Sequence, residues 1–70
     1  MNANEKLERI LSHCNEVIVQ SEDGRNQARA WRAMASPGAE FDAANNAYNF
    51  HVNRIMYHVE IRKMIEQSNN

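Results

Sequence analysis

The sequence predicts an all-α fold, an antiparallel helical hairpin that self-associates into a helical bundle. Apolar and small residues recur at steps of three and four on both sides of a single turn signal, Ser36-Pro37-Gly38. Proline lacks an amide hydrogen and disfavours helix at the residue before it, so this triplet is the clearest boundary in the chain. The 70 residues therefore form one helical domain, with helices over about 3–35 and 39–67 and a turn over 36–38.

The first predicted helix has one apolar or small face along its whole length, as alternating steps of three and four require. The face consists of Leu7, Ile10, Cys14, Val17, Ser21, Gly24, Ala28, Trp31 and Ala35. Ser21, with acids directly after it, also has the form of a helix start, so a kink or a break near Ser21–Gly24 is an alternative. Since the face keeps its phase through this point, a continuous or kinked helix is favoured.

The second predicted helix has two apolar stripes. The stripe that faces the first helix consists of Phe41, Ala44, Tyr48, Val52, Ile55 and Val59. The other stripe is offset in angle and consists of Phe50, Tyr57, Ile61 and Met64. A helix that is apolar around much of its circumference is normally buried around it, so the offset stripe predicts the self-association surface. The simplest assembly is a dimer that forms a four-helix bundle.

Pairing of the two helices about Pro37 predicts which residues lie level with one another. Gly24 and Ala28 fall opposite Tyr48 and His51, so that small residues leave room for large ones. The polar side of the second helix is mostly asparagine, at Asn46, Asn49 and Asn53. Asparagine forms helix poorly but hydrogen-bonds neighbours without burying a charge, so these residues predict a secondary interface. An ordinary solvated face is the alternative.

Composition excludes several classes of protein. The formal net charge is -1, so the whole chain has no strong field for nucleic acid or an anionic membrane. No apolar run approaches the length of a membrane span, and the first ten residues lack the pattern of a secretory signal. A single cysteine, Cys14, excludes an internal disulfide and is typical of a reducing compartment. We therefore expect a cytoplasmic protein with no membrane contact.

An arginine stripe is the strongest candidate for contact with a partner. Arg25, Arg29 and Arg32 share one helix face, and Trp31 lies beside them. We expect these four residues to bind another protein. The stripe could instead contact nucleic-acid phosphates, with the indole stacking on bases. A face that is only solvated or salt-bridged is the third interpretation.

No constellation in the sequence predicts catalysis, a metal ion or a cofactor. His51 and His58 are seven residues apart and lie about 10 Å from each other along a helix, so they cannot share one ion. Cys14 beside His13 is more simply a small buried residue. Arg54 and His58, four apart, resemble the Arg and His motif of the HEPN ribonuclease families, whose motif residues are usually further apart. We expect no enzymatic activity.

Two families share the outline of this chain. A short helical hairpin with an apolar second stripe resembles the plasmid copy-number regulators that dimerise into four-helix bundles and bind RNA. Type III secretion needle subunits are also short hairpins with a proline turn, and Tyr48, Asn53, Val59 and Lys63 resemble the spacing in their second helix. The second resemblance implies a filament subunit.

The function that these features predict is binding without catalysis. The chain is expected to be a small regulator, adaptor or inhibitor that acts as a homo-oligomer and binds another protein. A dimeric hairpin that binds nucleic acid through the arginine stripe is the alternative, and a filament subunit is the third.

Overall fold

The structure, a computed structural model, describes residues 3–68 and confirms the all-α helical hairpin. Helix α1 spans Ala3–Met34 and helix α2 spans Ala39–Ser68. Helix α1 is one uninterrupted helix through Ser21–Gly24, so the alternative of two separate helices is wrong. The two helices pack side by side into a rod of 52 × 16 × 13 Å.

The turn between the helices depends on Gly38. This residue has a φ of 103°, a conformation that residues with a Cβ rarely adopt. The Phe41 amide donates to the Ser36 carbonyl at 3.2 Å, and the Asp42 amide donates to the Gly38 carbonyl at 2.9 Å. Glu40 and Asp42 lie in the first turn of α2, where negative charge is favourable. The short connection therefore reverses the chain while using backbone donors that α2 would otherwise leave unpaired.

The buried core is small and comes mainly from α1. Its members are Cys14, Val17, Ile18, Ser21 and Ala28 from α1, and Ala44 from α2. Ile18 was not on the predicted face, whereas Ile10 and Trp31 were on it and are 45% and 44% exposed. One partner helix covers only an arc of α1, so residues at the edge of a wide face stay open to solvent.

Helix α2 turns a more polar side towards α1 than its predicted stripe suggested. Of that stripe, Ala44 is fully buried, while Phe41 is exposed. The others, Tyr48, Val52, Ile55 and Val59, are half-buried. His51 and His58 are also half-buried. Histidine is polar, so the pattern of apolar residues did not predict that the His51 ring packs against α1.

Side-chain hydrogen bonds join the helices near both ends of the hairpin. Near the turn, Arg32 Nη1 donates to Asn45 Oδ1 at 3.0 Å. Near the open end, Arg62 Nη1 donates to Asn15 Oδ1 at 3.1 Å. Both pairs agree with a single antiparallel register along the rod.

In the middle of the hairpin, Gly24 lies directly against the ring of His51. A Cβ built at Gly24 would lie only 2.7 Å from both ring nitrogens of His51. The imidazole therefore fills the space that a side chain at position 24 would need. This contact confirms the predicted register, in which small residues of α1 face large residues of α2.

Candidate protein interface

Two rows of residues, each with a spacing of seven, follow the two helices. A spacing of seven is close to two helical turns, so the members of each row lie above one another. The α1 row is Ile10, Val17, Gly24 and Trp31, and the α2 row is Ala43, Phe50, Tyr57 and Met64.

The two rows border the same side of the hairpin. A groove of about 290 Å³ lies between the helices on this side. Its lining residues are Gly24, Gln27, Ala28, Trp31, Ala47 and His51. Ala47 follows Ala43 by four residues and precedes Phe50 by three, so it adjoins the α2 row on the helix surface. We call this side, with both rows and the groove between them, the apolar face.

Most large side chains of the apolar face are exposed. Phe50 is 58% exposed, Tyr57 is 66% exposed and Met64 is 64% exposed. The fourth residue of the predicted self-association stripe, Ile61, is half-buried. Only Val17 of the α1 row is fully covered, because it reaches into the core. A face of this kind leaves several aromatic and aliphatic side chains in contact with water.

The groove adjoins a polar spot in the centre of the hairpin. Ser21 Oγ, Arg25 Nε and His51 Nδ1 are each buried, and none has a hydrogen-bond partner among residues 3–68. A buried polar group without a partner costs about 1–3 kcal/mol.

The arginine stripe does not form one continuous solvent-exposed surface. The Arg32 guanidinium lies over the Tyr48 ring, with Cζ 4.2 Å from the ring centroid. Together with its hydrogen bond to Asn45, this contact holds Arg32 against α2. Arg29 is exposed, and Arg25 is half-buried with Nη2 3.5 Å from Asn26 Oδ1.

Trp31 lies on the other side of the hairpin from the arginines. It lines the groove beside Ala47, whereas Arg32 contacts Asn45 and Tyr48. Ala47 and Asn45 are two positions apart on α2 and so point about 160° from each other. The structure therefore does not bring Trp31 together with Arg25, Arg29 and Arg32, and the four residues belong to two surfaces.

The predicted asparagines lie beside the α2 row, since Asn46 precedes Phe50 by four residues and Asn53 follows it by three. Asn46, Asn49 and Asn53 are all exposed, as expected either for a secondary interface or for a solvated face. His58 Nδ1 donates to the backbone carbonyl of Arg54 at 2.8 Å, and the Arg54 side chain is exposed. That bond places the imidazole back along its own helix.

Residues 3–68 contain neither a metal-binding cluster nor a helix that could span a membrane. Within this range, no group of three or more His, Cys, Asp or Glu side chains is placed to hold a metal ion. Neither α1 nor α2 has the length and apolarity that would let it cross a membrane. An open concavity of about 650 Å³ lies along the outer side of α1 between Glu8 and Gln20, and it is lined by that helix alone.

Comparisons with protein-family models, with curated proteins and with solved structures found no match for this chain.

The seven-residue rows can be read from the sequence once their period is noticed. The sequence pattern instead grouped Phe50, Tyr57 and Met64 with Ile61 as an offset apolar stripe, and it assigned Ile10, Gly24 and Trp31 to the contact between the helices. It therefore missed that the α1 row borders the same exposed face.

Proposed function

We propose that this chain is a non-enzymatic, protein-binding regulator, adaptor or inhibitor that acts as a homo-oligomeric helical bundle. One observation carries the proposal: the hairpin leaves Phe50, Tyr57 and Met64 exposed in a single row with a spacing of seven. Rows of this period are the usual contact surfaces between packed helices. Covering them requires at least one more helix, and a second copy of the chain supplies two.

The dimensions of the hairpin support the same proposal. Its Cα radius of gyration is 15.9 Å. A compact domain of 70 residues would have a value of roughly 11 Å. Two helices with a small, partly polar core cannot form a globular interior, and chains of this size commonly gain stability by association. A buried Cys14 agrees with the cytoplasm as the place of action.

The partner surface that we propose is the side with Arg25 and Arg29. If a second copy covers the apolar face, this opposite side stays available to another protein. Arg29 is exposed and Arg25 is half-buried, whereas Arg32 is held by α2. We therefore assign partner binding to the first two arginines. A nucleic-acid-binding dimer is the alternative that the experiment must separate.

The test begins with the mass of the pure chain by light scattering across micromolar concentrations. We expect a discrete mass above the 8.1 kDa of one chain. A growing, open-ended distribution would instead favour a filament. A chain that stays at the monomer mass up to high micromolar concentration would refute the homo-oligomer.

The partner is then sought by affinity capture from lysate, with and without nuclease. We expect a captured protein that resists nuclease and is lost when Arg25→Gln and Arg29→Gln are combined. Glutamine keeps helix propensity nearly unchanged, so circular dichroism should show the same helix content. Capture that disappears with nuclease would favour the nucleic-acid-binding alternative. Capture that is intact in the double variant would exclude these arginines as the partner surface.

A further inference from the structure

We propose that a second copy of the chain packs on the apolar face with both hairpins pointing in the same direction. Helix α1 of each copy then lies against α2 of the other copy, and Phe50 of each copy enters the groove at Gly24 of the other. The inference rests on the proposed homo-oligomer and specifies its geometry.

The accessible surface area of the single chain supports a second copy as the occupant of this face. The chain has an accessible surface of 5162 Å². A globular monomer of this mass would expose roughly 4,500 Å². The excess is of the same order as the roughly 800 Å² that each partner buries in an interface of standard size. A partner with the full length of this rod can cover the whole face, and a second copy has that length.

The register determines which residues would meet across the two copies. Gly24 lies beside His51, and so it is level with Phe50 of the same copy. A two-fold axis along the rod keeps every level and exchanges α1 for α2. Gly24 of one copy therefore faces Phe50 of the other, and the contact occurs twice by symmetry.

At the two heights along the rod that are nearest the turn, large side chains of one copy face small residues of the other. At one level, the groove lined by Gly24, Ala28 and Ala47 faces Phe50 of the other copy, which is exposed in the single chain. At the next level, Trp31 faces Ala43 and Ala47, the smallest residues near the α2 row. Large residues thus meet small ones, as in well-packed bundles.

The remaining two levels pair apolar residues of similar kind. Val17 is level with the segment around Tyr57, and Ile10 is level with the segment around Met64, given the register set by Asn15 and Arg62. All neighbouring helices in this assembly are antiparallel, as in up-down four-helix bundles.

The opposite direction of packing fits less well. A two-fold axis across the rod would set α1 against α1 and α2 against α2. The α2 row would then meet itself, placing Phe50 against the similarly large Tyr57 or against its own equivalent. In that assembly the groove at Gly24 would face another α1 and would receive no aromatic side chain from α2.

Photo-cross-linking distinguishes these arrangements. The chain is made with p-benzoyl-phenylalanine in place of Phe50 and mixed with ¹⁵N-labelled wild-type chain. After irradiation, a protease cleaves the mixture on the C-terminal side of each glutamate. We expect cross-links between copies from position 50 to the peptide 23–40, which contains Gly24 and Trp31. The matched control places the same group at Met56, which is 61% exposed on another side of α2. The control should give no cross-link between copies to that peptide.

The outcomes separate this inference from the proposed function. Cross-links between copies from position 50 to the peptide 41–60 would overturn the same-direction packing while leaving the homo-oligomer in place. The same holds if the chain associates but forms no cross-link to 23–40. A chain that stays monomeric would overturn both.

A substitution provides an independent readout. Phe50→Ala should raise the dissociation constant of the assembly by at least about tenfold, as expected for an aromatic side chain buried in an interface pocket. Met56→Ala should change it by no more than about twofold. Equal effects of the two substitutions would contradict a special role for Phe50. Both residues are mostly exposed in the single chain, so helix content by circular dichroism should be unchanged.

Discussion

At the scale of single residues, Gly24 and His51 determine how closely the helices approach. The absence of a Cβ at position 24 lets the imidazole lie against α1. Glycine within a helix costs about 1 kcal/mol relative to alanine. The contact with His51 is a physical reason for accepting that cost here.

The first prediction concerns this contact. Gly24→Ala should be more favourable by at least about 1 kcal/mol in a His51→Ala background than in the wild type. With the ring present, the new Cβ must displace it, and overpacking costs about 1–3 kcal/mol. With the ring removed, only the gain in helix propensity remains. The free energy of unfolding in urea, at one protein concentration, measures both differences.

A matched control is available on the exposed side of the same helix. Ala30→Gly reports the propensity term alone and should cost about 1 kcal/mol in both backgrounds. The prediction fails if Gly24→Ala has the same effect with and without the His51 ring.

At the scale of the helices, two hydrogen bonds and a cation–π contact join α1 and α2 towards the two ends of the hairpin. Near the turn, Arg32 contacts both Asn45 and the Tyr48 ring. Near the open end, Arg62 bonds to Asn15. The apolar core between these ends is small, so these contacts contribute to the alignment of α2 on α1 as well as to its stability.

We expect Arg32→Gln to lower the free energy of unfolding by about 1 kcal/mol, since it removes a cation–π contact and a hydrogen bond between the helices. The matched control is Arg29→Gln on the same stripe, where the side chain is exposed, and its effect should stay within about 0.5 kcal/mol. Urea unfolding followed by circular dichroism measures both. Equal losses from the two variants would argue against a structural role for Arg32.

At the scale of the whole molecule, the rod presents two different sides. The apolar face carries Phe50, Tyr57 and Trp31, and the opposite side carries Arg25 and Arg29. A chain with two unlike sides can associate with itself through one and bind a partner through the other. The proposed function assigns these two tasks to the two sides.

Charged residues on the apolar face should dissociate the assembly. We expect Tyr57→Glu combined with Ile61→Glu to reduce the mass in light scattering towards that of one chain, because burying unpaired charges of one sign in an interface is unfavourable. The matched control replaces Val19, which is 65% exposed on the outer side of α1, with glutamate and should keep the mass of the wild type. An unchanged mass in the Tyr57 and Ile61 variant would place the interface elsewhere.

The sequence by itself determined the helical hairpin, because the apolar periodicity of three and four matches the helix repeat and the Pro37-Gly38 turn depends on local backbone chemistry. It also identified the stripe with Phe50 and Tyr57, since residues three, four and seven apart lie on one side of any α-helix. Only the tertiary structure decided which side of each helix faces the other helix. His51 packs against Gly24 of α1, Arg32 lies against α2, and Trp31 is on the other side from the arginines. These features depend on the rotation of each helix about its axis, to which the contact of Gly24 with His51 contributes alongside the hydrophobic pattern of each helix.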